Sequence, residues 1–323
     1  MMDQTPKVNA ENVERGRFAG RPGRFSARAW GAVLRRVWLG IGNDNLSIVA
    51  AGVAFFGMLA IFPAITALIS IYGLIRDPND ILSSLSSVRA FLPGDVFDLI
   101  QNQISQLISA GTGTLGLAGL ISIFFALWSA RAGVTALMTG LNIVYNERDD
   151  RNIVVQYISS LLLTCLFVFM AIISVATVVV LPALLRLSDF GAIGTSVARV
   201  LPVVILGCGI IFVIGALYRL APHRRSAKLQ WVTPGAGFAA LLWIVVSMAL
   251  STYFSNFADF NKTYGSLGAI MAVLFWLYAS AFVVLLGAEL NAQLELQTSR
   301  DTTSGPQRPI GERQAFVADH VSE

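Results

Sequence analysis

"YGSLGAIMAVLFWLYASAFVVLLGAELNAQLE", residues 264–295, decides what kind of chain this is. From Tyr264 to Ala288 it holds no charged residue. That exceeds the roughly 20 apolar residues a helix needs to cross a hydrocarbon core of about 30 Å. Glu289, Asn291 and Gln293 then arrive within five positions. The segment reads as a membrane span whose end is loaded with polar groups.

Working outward, six segments satisfy the same length criterion: 46–75, 114–140, 155–185, 199–221, 232–254 and 265–290. All must be helices, because lipid offers no partner to an unpaired backbone group. Pro63 lies inside the first and predicts a kink there. Composition agrees: 55% of residues are hydrophobic and only 13% charged, against about 25% charged in soluble domains. Mean hydropathy is +0.67. No cleavable signal peptide is expected, since the first strongly apolar run begins only near Leu46. Cys165 and Cys208 stand singly in apolar runs and predict neither a metal site nor a redox pair. The expected fold class is an all-α integral membrane protein, a six-span helical bundle with interfacial amphipathic helices.

Basic residues predict the orientation. Lys7, Arg15, Arg17, Arg21, Arg24, Arg28, Arg35 and Arg36 precede the first span, Arg148 and Arg151 follow the second, and Arg219, Arg224, Arg225 and Lys228 follow the fourth. The other side has only Arg76, Arg89, Arg186, Arg199 and Lys262. Both termini are expected to be cytoplasmic. Residues 1–27 read as a disordered basic arm and 298–323 as a disordered cytoplasmic tail, around a membrane domain at 28–297. Residues 28–42 place Trp30, Val33, Leu34, Val37, Trp38 and Ile41 at helical spacing, with Arg28, Arg35 and Arg36 beside or opposite them. That pattern suits a helix in the headgroup region, as an anchor or a reader of anionic lipid. Residues 81–109 show two further amphipathic patterns, broken at Pro93-Gly94. These external helices would cap the bundle, lie on the outer leaflet or hold a partner.

Polar residues inside the spans are few. Arg131 is the costliest, since insertion scales charge about 2.5–3.5 kcal/mol for Arg at a helix centre. Arg131, Thr135, Thr139 and Asn142 recur at i, i+4, i+8 and i+11 of the second span, one stripe on one face. They are the candidate lining of a cavity for a lipid headgroup or another anion. Glu289 lies roughly 10 Å closer to the inner boundary than Arg131 at 1.5 Å rise per residue. Long side chains would let the two meet as an ion pair or inner gate with Asn291 nearby, or each would snorkel to headgroup water alone. Asn291 projects to another face, suited to capping backbone or binding interfacial water. Asn256, Asp259, Lys262 and Tyr264 crowd the external turn before the last span, as a solvated turn or a headgroup site.

"AAGVAFFGMLAIFPAI" (50–65), "LWSARAGVTALMTGLNIVY" (127–145), "PGAGFAALLWIVVSMALSTYF" (234–254), and "YGSLGAIMAVLFWLY" (264–278) leading to "GAELNAQ" (287–293) occur in an order that resembles the YihY/BrkB family of bacterial inner-membrane proteins. The resemblance covers roughly residues 30–296. It implies a six-span protein of the cytoplasmic membrane and an envelope-maintenance or transport role, with links to lipid export. Some members of that family carried the label ribonuclease BN. Metal-dependent nuclease chemistry needs clustered His and carboxylate ligands, while His223 and His320 are the only histidines here. No nuclease or other enzyme activity, no cofactor, no metal and no nucleic-acid partner is therefore expected. ATP hydrolysis is not expected either, for want of a phosphate-binding glycine loop. Two functions remain: a transporter-like factor handling an anionic lipid or other anion, and a scaffold docking envelope proteins through its external helices. Membrane lipids are the expected partners on the first reading. The sequence does not address oligomeric state.

Overall fold

A computed structural model describes residues 16–75, 101–102, 105, 112–187, 191–256 and 267–322. The expected external helices at 81–109 and the turn residues Asp259, Lys262 and Tyr264 lie outside the described residues, apart from 101, 102 and 105. Asn256 closes a helix, but its side chain is likewise outside them. The longer helices in chain order are α1 (Ala27–Asn43), α2 (Leu46–Ile75), α3 (Thr112–Val144), α4 (Ile153–Leu187), α5 (Gly191–Leu220), α6 (Leu229–Asn256) and α7 (Leu267–Glu295). Among the described residues there is no strand, only an isolated antiparallel bridge between Ala227 and Thr303.

Helices α3 to α7 are each long and apolar enough to cross a membrane, which makes five. A sixth is formed if α1 and α2, bent by 61° at their junction, act as one broken span. That bend has a local cause. Asn45 sits between the two helices at φ 51°, a left-handed conformation that stops α1. At its other end α1 is capped by Ser26, whose side chain accepts from the Ala29 amide at 3.2 Å.

The chain divides into two compact units, residues 1–48, 137–243 and 282–323 in one, residues 49–136 and 244–281 in the other. In the second unit α2 and α3 touch closely at Gly133, where a Cβ would stand 3.6 Å from the Phe56 Cβ and 3.7 Å from the Gly57 amide. Trp276 of α7 donates to the Ser247 hydroxyl of α6 at 3.1 Å. Small residues let helices approach where no hydrophobic force drives them together.

The first unit carries the polar chemistry. Here α4 and α5 pack along each other, and α1 lays Ala29, Val33 and Val37 onto Trp231, Leu290 and Leu294. The apolar face expected for 28–42 is therefore divided. Val33 and Val37 are buried in protein, while Leu34 and Trp38 point outward, Trp38 with 76% of its surface exposed. Arg36 turns to the protein and donates to the side chains of Gln293 (2.8 Å) and Gln297.

The two ends require a correction. Residues 16–27, expected to be disordered, are folded under α1: Phe25 packs on Trp30 and Trp231 with ring centroids 6.3 and 6.1 Å apart. Residues 298–322, expected to be a disordered tail, are folded as well. Asp301 accepts from the Thr303 amide and hydroxyl and from the Arg308 amide. Arg313 donates to the carbonyls of Ser299, Arg308 and Ala318. Gly305 and Gly311 take φ of 93° and 92° to make the turns between them. The expectation weighed apolar content, whereas this segment is ordered by charge-assisted hydrogen bonds to backbone.

Candidate functional site

The polar residues that end α7 each hold a different element. Gly287 comes first: α6 and α7 cross so closely that a Cβ on Gly287 would stand 2.7 Å from the Gly235 carbonyl and 2.5 Å from the Tyr218 hydroxyl. Tyr218 of α5 donates to the Val284 carbonyl at 2.6 Å, joining a third helix. Four residues on, the Asn291 amide accepts from the Gly235 amide (2.8 Å) and donates to the Val232 carbonyl (3.0 Å). Pro234 lies between these positions and brings no N–H. Asn291 thus behaves as an extra peptide group spliced into α6 at its proline.

Glu289 faces α1. Its carboxylate accepts from Gln293 at 2.9 Å and lies beside Asp44. It fills the space at Gly40, where a Cβ would stand 2.7 Å from the Glu289 Cδ. The expected ion pair with Arg131 would link the two compact units; within its own unit Glu289 engages Gln293. Arg131 belongs to the other unit, and its carbonyl accepts from the Thr135 hydroxyl at 2.9 Å. Thr139 is exposed, and Asn142 is buried. The four residues of the expected stripe therefore have different surroundings.

Asn142 has a definite task. Its Oδ1 accepts from the His223 amide (2.8 Å) and its Nδ2 donates to Asp149 (3.2 Å). It thereby fixes the loop after α3 to the loop after α5. Glu295, at the end of α7, fixes the second loop from the other side. Both its oxygens accept from Arg224, at 2.7 and 3.2 Å, and the Thr302 hydroxyl of the tail donates at 2.6 Å. The pair is enclosed, with Arg224 and Glu295 side chains 1% and 0% exposed. The Arg224 guanidinium also stacks over the Tyr145 ring, 4.0 Å from its centroid. Burial alone would lower the Arg224 pKa, but Glu295, Tyr145 and Glu147 together raise it. Burial pushes the Glu147 carboxyl up, against the hydrogen bond it accepts from the Phe316 amide.

These constraints frame a pocket of about 490 Å³ lined by Arg151, Arg219, His223, Arg224, Arg225 and, from the tail, Gln314. Arg151 Nη1, Arg219 Nε, Arg224 Nε and Arg225 Nη1 are buried there without hydrogen-bond partners. Arg151 is paired with Asp149 at 3.6 Å and Arg224 with Glu295. Arg219 and Arg225 make no ion pair among the described residues. The tail shapes the wall: the Arg225 amide donates to the Gln314 carbonyl (2.9 Å) and its Nη2 to the Pro306 carbonyl (3.2 Å). Reading the sequence missed this site, because its arginines had already been explained as an orientation signal. The density of "RLAPHRRSAK" (219–228) was the available clue. Among the described residues, no group of three or more His, Cys, Asp or Glu could hold a metal ion.

Comparison with known proteins adds identity. A family model described as virulence factor BrkB matches residues 37–310. A protein of Bacillus subtilis (strain 168) named ribonuclease-like protein YfkH is 30% identical over 249 residues, 76% of this chain and 88% of that one. A UPF0761 membrane protein of Rhodospirillum centenum is 27% identical over 321 residues, covering 94% of this chain and 66% of its own length. One of Vibrio vulnificus (strain YJ016) is 25% identical over 274 residues, 83% and 84% of the two chains. No solved structure matches the chain.

Proposed function

This chain belongs to the BrkB family of membrane proteins, and from that premise we propose that it binds and handles an anion at its basic end, as a transporter-like factor of the bacterial inner membrane. One observation carries the reading: guanidinium nitrogens of four arginines are buried around one pocket with no partner. A buried donor left unpaired costs about 1–3 kcal/mol. Folds keep such groups where a ligand completes them. Arginine forks match the oxygens of phosphate or carboxylate better than any other side chain. By the basic-residue asymmetry the pocket opens to the cytoplasmic side, where the leaflet is anionic.

The polar residues of α3 extend the proposal. Asn142 anchors the pocket loop, and Arg131 lies further along the same helix. Movement of an anion past α3 would give Arg131 a role beyond packing. The ribonuclease-like name is that of the Bacillus relative; the proposal for this chain rests on its pocket arginines instead.

The test uses purified protein in vesicles, following movement of a fluorescent anionic lipid, its zwitterionic counterpart and inorganic phosphate. Parent protein should accelerate at least one anionic species, and the double substitution Arg219→Gln/Arg225→Gln should reduce that rate at least tenfold. Equal rates for the well-folded double variant and the parent would refute the proposal.

A further inference from the structure

The basic pocket adjoins an apolar groove. A second cavity of about 430 Å³ is lined by Ile211, Phe212, Gly215 and Ala216 of α5 and by Leu229, Val232, Thr233 and Ala236 of α6. The two cavities share Arg219, Leu220 and Ser226. The two are therefore adjacent. The shared residues stand where the apolar part of α5 stops at Leu220 and before that of α6 starts at Leu229. Phe212, Leu220 and Leu229 are 59%, 57% and 63% exposed, so the groove faces outward.

We propose that the site binds an anionic glycerophospholipid, with its phosphate among Arg219, Arg225 and Arg151 and one acyl chain along the α5–α6 groove. This rests on the anion-binding reading above and names its ligand. The geometry favours a lipid over a free anion because a soluble phosphate has no use for the apolar half. It favours an anionic headgroup because Arg219 and Arg225 have no carboxylate among the described residues to neutralise them, while Arg224 and Arg151 do. Arg224, locked by Glu295, positions the loop; Arg219 and Arg225 carry the free charge. Gly215 leaves the groove open, since even a Cβ there would meet only Val232, at 3.9 Å. Size agrees as well: small-molecule sites run about 300–1,000 Å³.

Full-length protein stripped of lipid in detergent provides the test, with three probes: dioleoyl phosphatidylglycerol, dioleoyl phosphatidylcholine and inorganic phosphate. Native mass spectrometry reads the lipids and equilibrium dialysis reads phosphate. Parent protein should retain the glycerol lipid at least tenfold better than the choline lipid. Gly215→Leu on one wall and Thr233→Trp on the other should each lower its retention at least fivefold and leave phosphate binding unchanged. Arg219→Gln should lower retention of the anionic lipid and binding of phosphate, and Arg225→Gln reads the same quantity should the first variant not purify as monodisperse protein. If both groove variants retain the lipid like the parent, the phospholipid assignment is wrong and the anion pocket alone stands. If the well-folded arginine variants bind lipid and phosphate like the parent, both readings are overturned.

Discussion

Asn291→Ala is the substitution that most directly examines how α7 holds the site. The side chain makes two buried hydrogen bonds to the α6 backbone, from the Gly235 amide and to the Val232 carbonyl. Alanine removes both and leaves a buried donor and a buried acceptor, each costing about 1–3 kcal/mol. The sum is about 2–6 kcal/mol, before any cavity contribution. Water cannot easily repair the loss, because Gly235 and Gly287 bring the two backbones together at this crossing. Even about 2 kcal/mol moves an equilibrium nearly thirtyfold. Asn291→Asp is the informative control: it preserves the acceptor for Gly235 but places a carboxylate against the Val232 carbonyl, so it should be no better than alanine. Reversible unfolding in bicelles, with size-exclusion recovery after heating, measures the effect. A well-behaved Asn291→Ala protein within about 0.5 kcal/mol of the parent, the usual range of a neutral surface change, would mean that the clamp carries no weight.

Four further outcomes are expected. Arg224→Ala and Glu295→Ala should each destabilise by about 3–5 kcal/mol, and the double variant by clearly less than their sum, since each single change strands a buried charge; strictly additive losses in the same unfolding assay would break the inferred pairing. Tail order should depend on acid, because Thr303, Arg308 and Arg313 outweigh burial and hold Asp301 below its ordinary 3.8. A folded pKa below the unfolded one gives stability that is present above pH 3.8 and lost as pH falls through the folded value, so an acid-active protease should cut 298–322 faster only below that point, and Asp301→Asn should be cut readily at every pH. Glu147 works oppositely, its raised pKa giving stability lost as pH rises above 4.5; Glu147→Gln should remove that decline. Reporters fused after Arg225 and at the C-terminus should read cytoplasmic, and reporters at Asp95 and Asp259 external; a cytoplasmic signal at Asp95 contradicts the orientation drawn from basic residues.

The spans are legible in the sequence because hydropathy is a local property, and a run such as Leu267–Leu286 needs no partner to declare itself. The ends of the spans are another matter. The sequence offered Glu289 either Arg131 or headgroup water, while what surrounds Glu289 in its own unit depends on Gly40 leaving room on α1. A glycine in an amphipathic helix gives no sign of what will fill its place. The tail was misread for a similar reason. Composition measures how much apolar surface a segment can bury, and Asp301 and Arg313 order 298–322 by bonding backbone instead. With the tail taken as disordered, Arg225 and Arg219 served only as an orientation signal, and the pocket that Gln314 helps to enclose could not be foreseen.

The arginine loop separates two jobs that charge alone cannot distinguish. A guanidinium with a carboxylate partner on both oxygens, as Arg224 has in Glu295, is spent on geometry: its charge is neutralised and its position fixed. Asn142 and Thr302 add fixed points on either side, one holding His223 and the other holding Glu295. Rigid placement lets Arg219 and Arg225 line one pocket with no counter-charge among the described residues. Such an arrangement is unfavourable in isolation, since like charges repel and buried donors go unmet. On the anion-binding proposal, an arriving anion would meet those donors and relieve the repulsion between Arg219 and Arg225. The polar cluster that closes α7 is thus the footing on which that site is built, and this is why a carboxylate and two amides appear where the last apolar run stops.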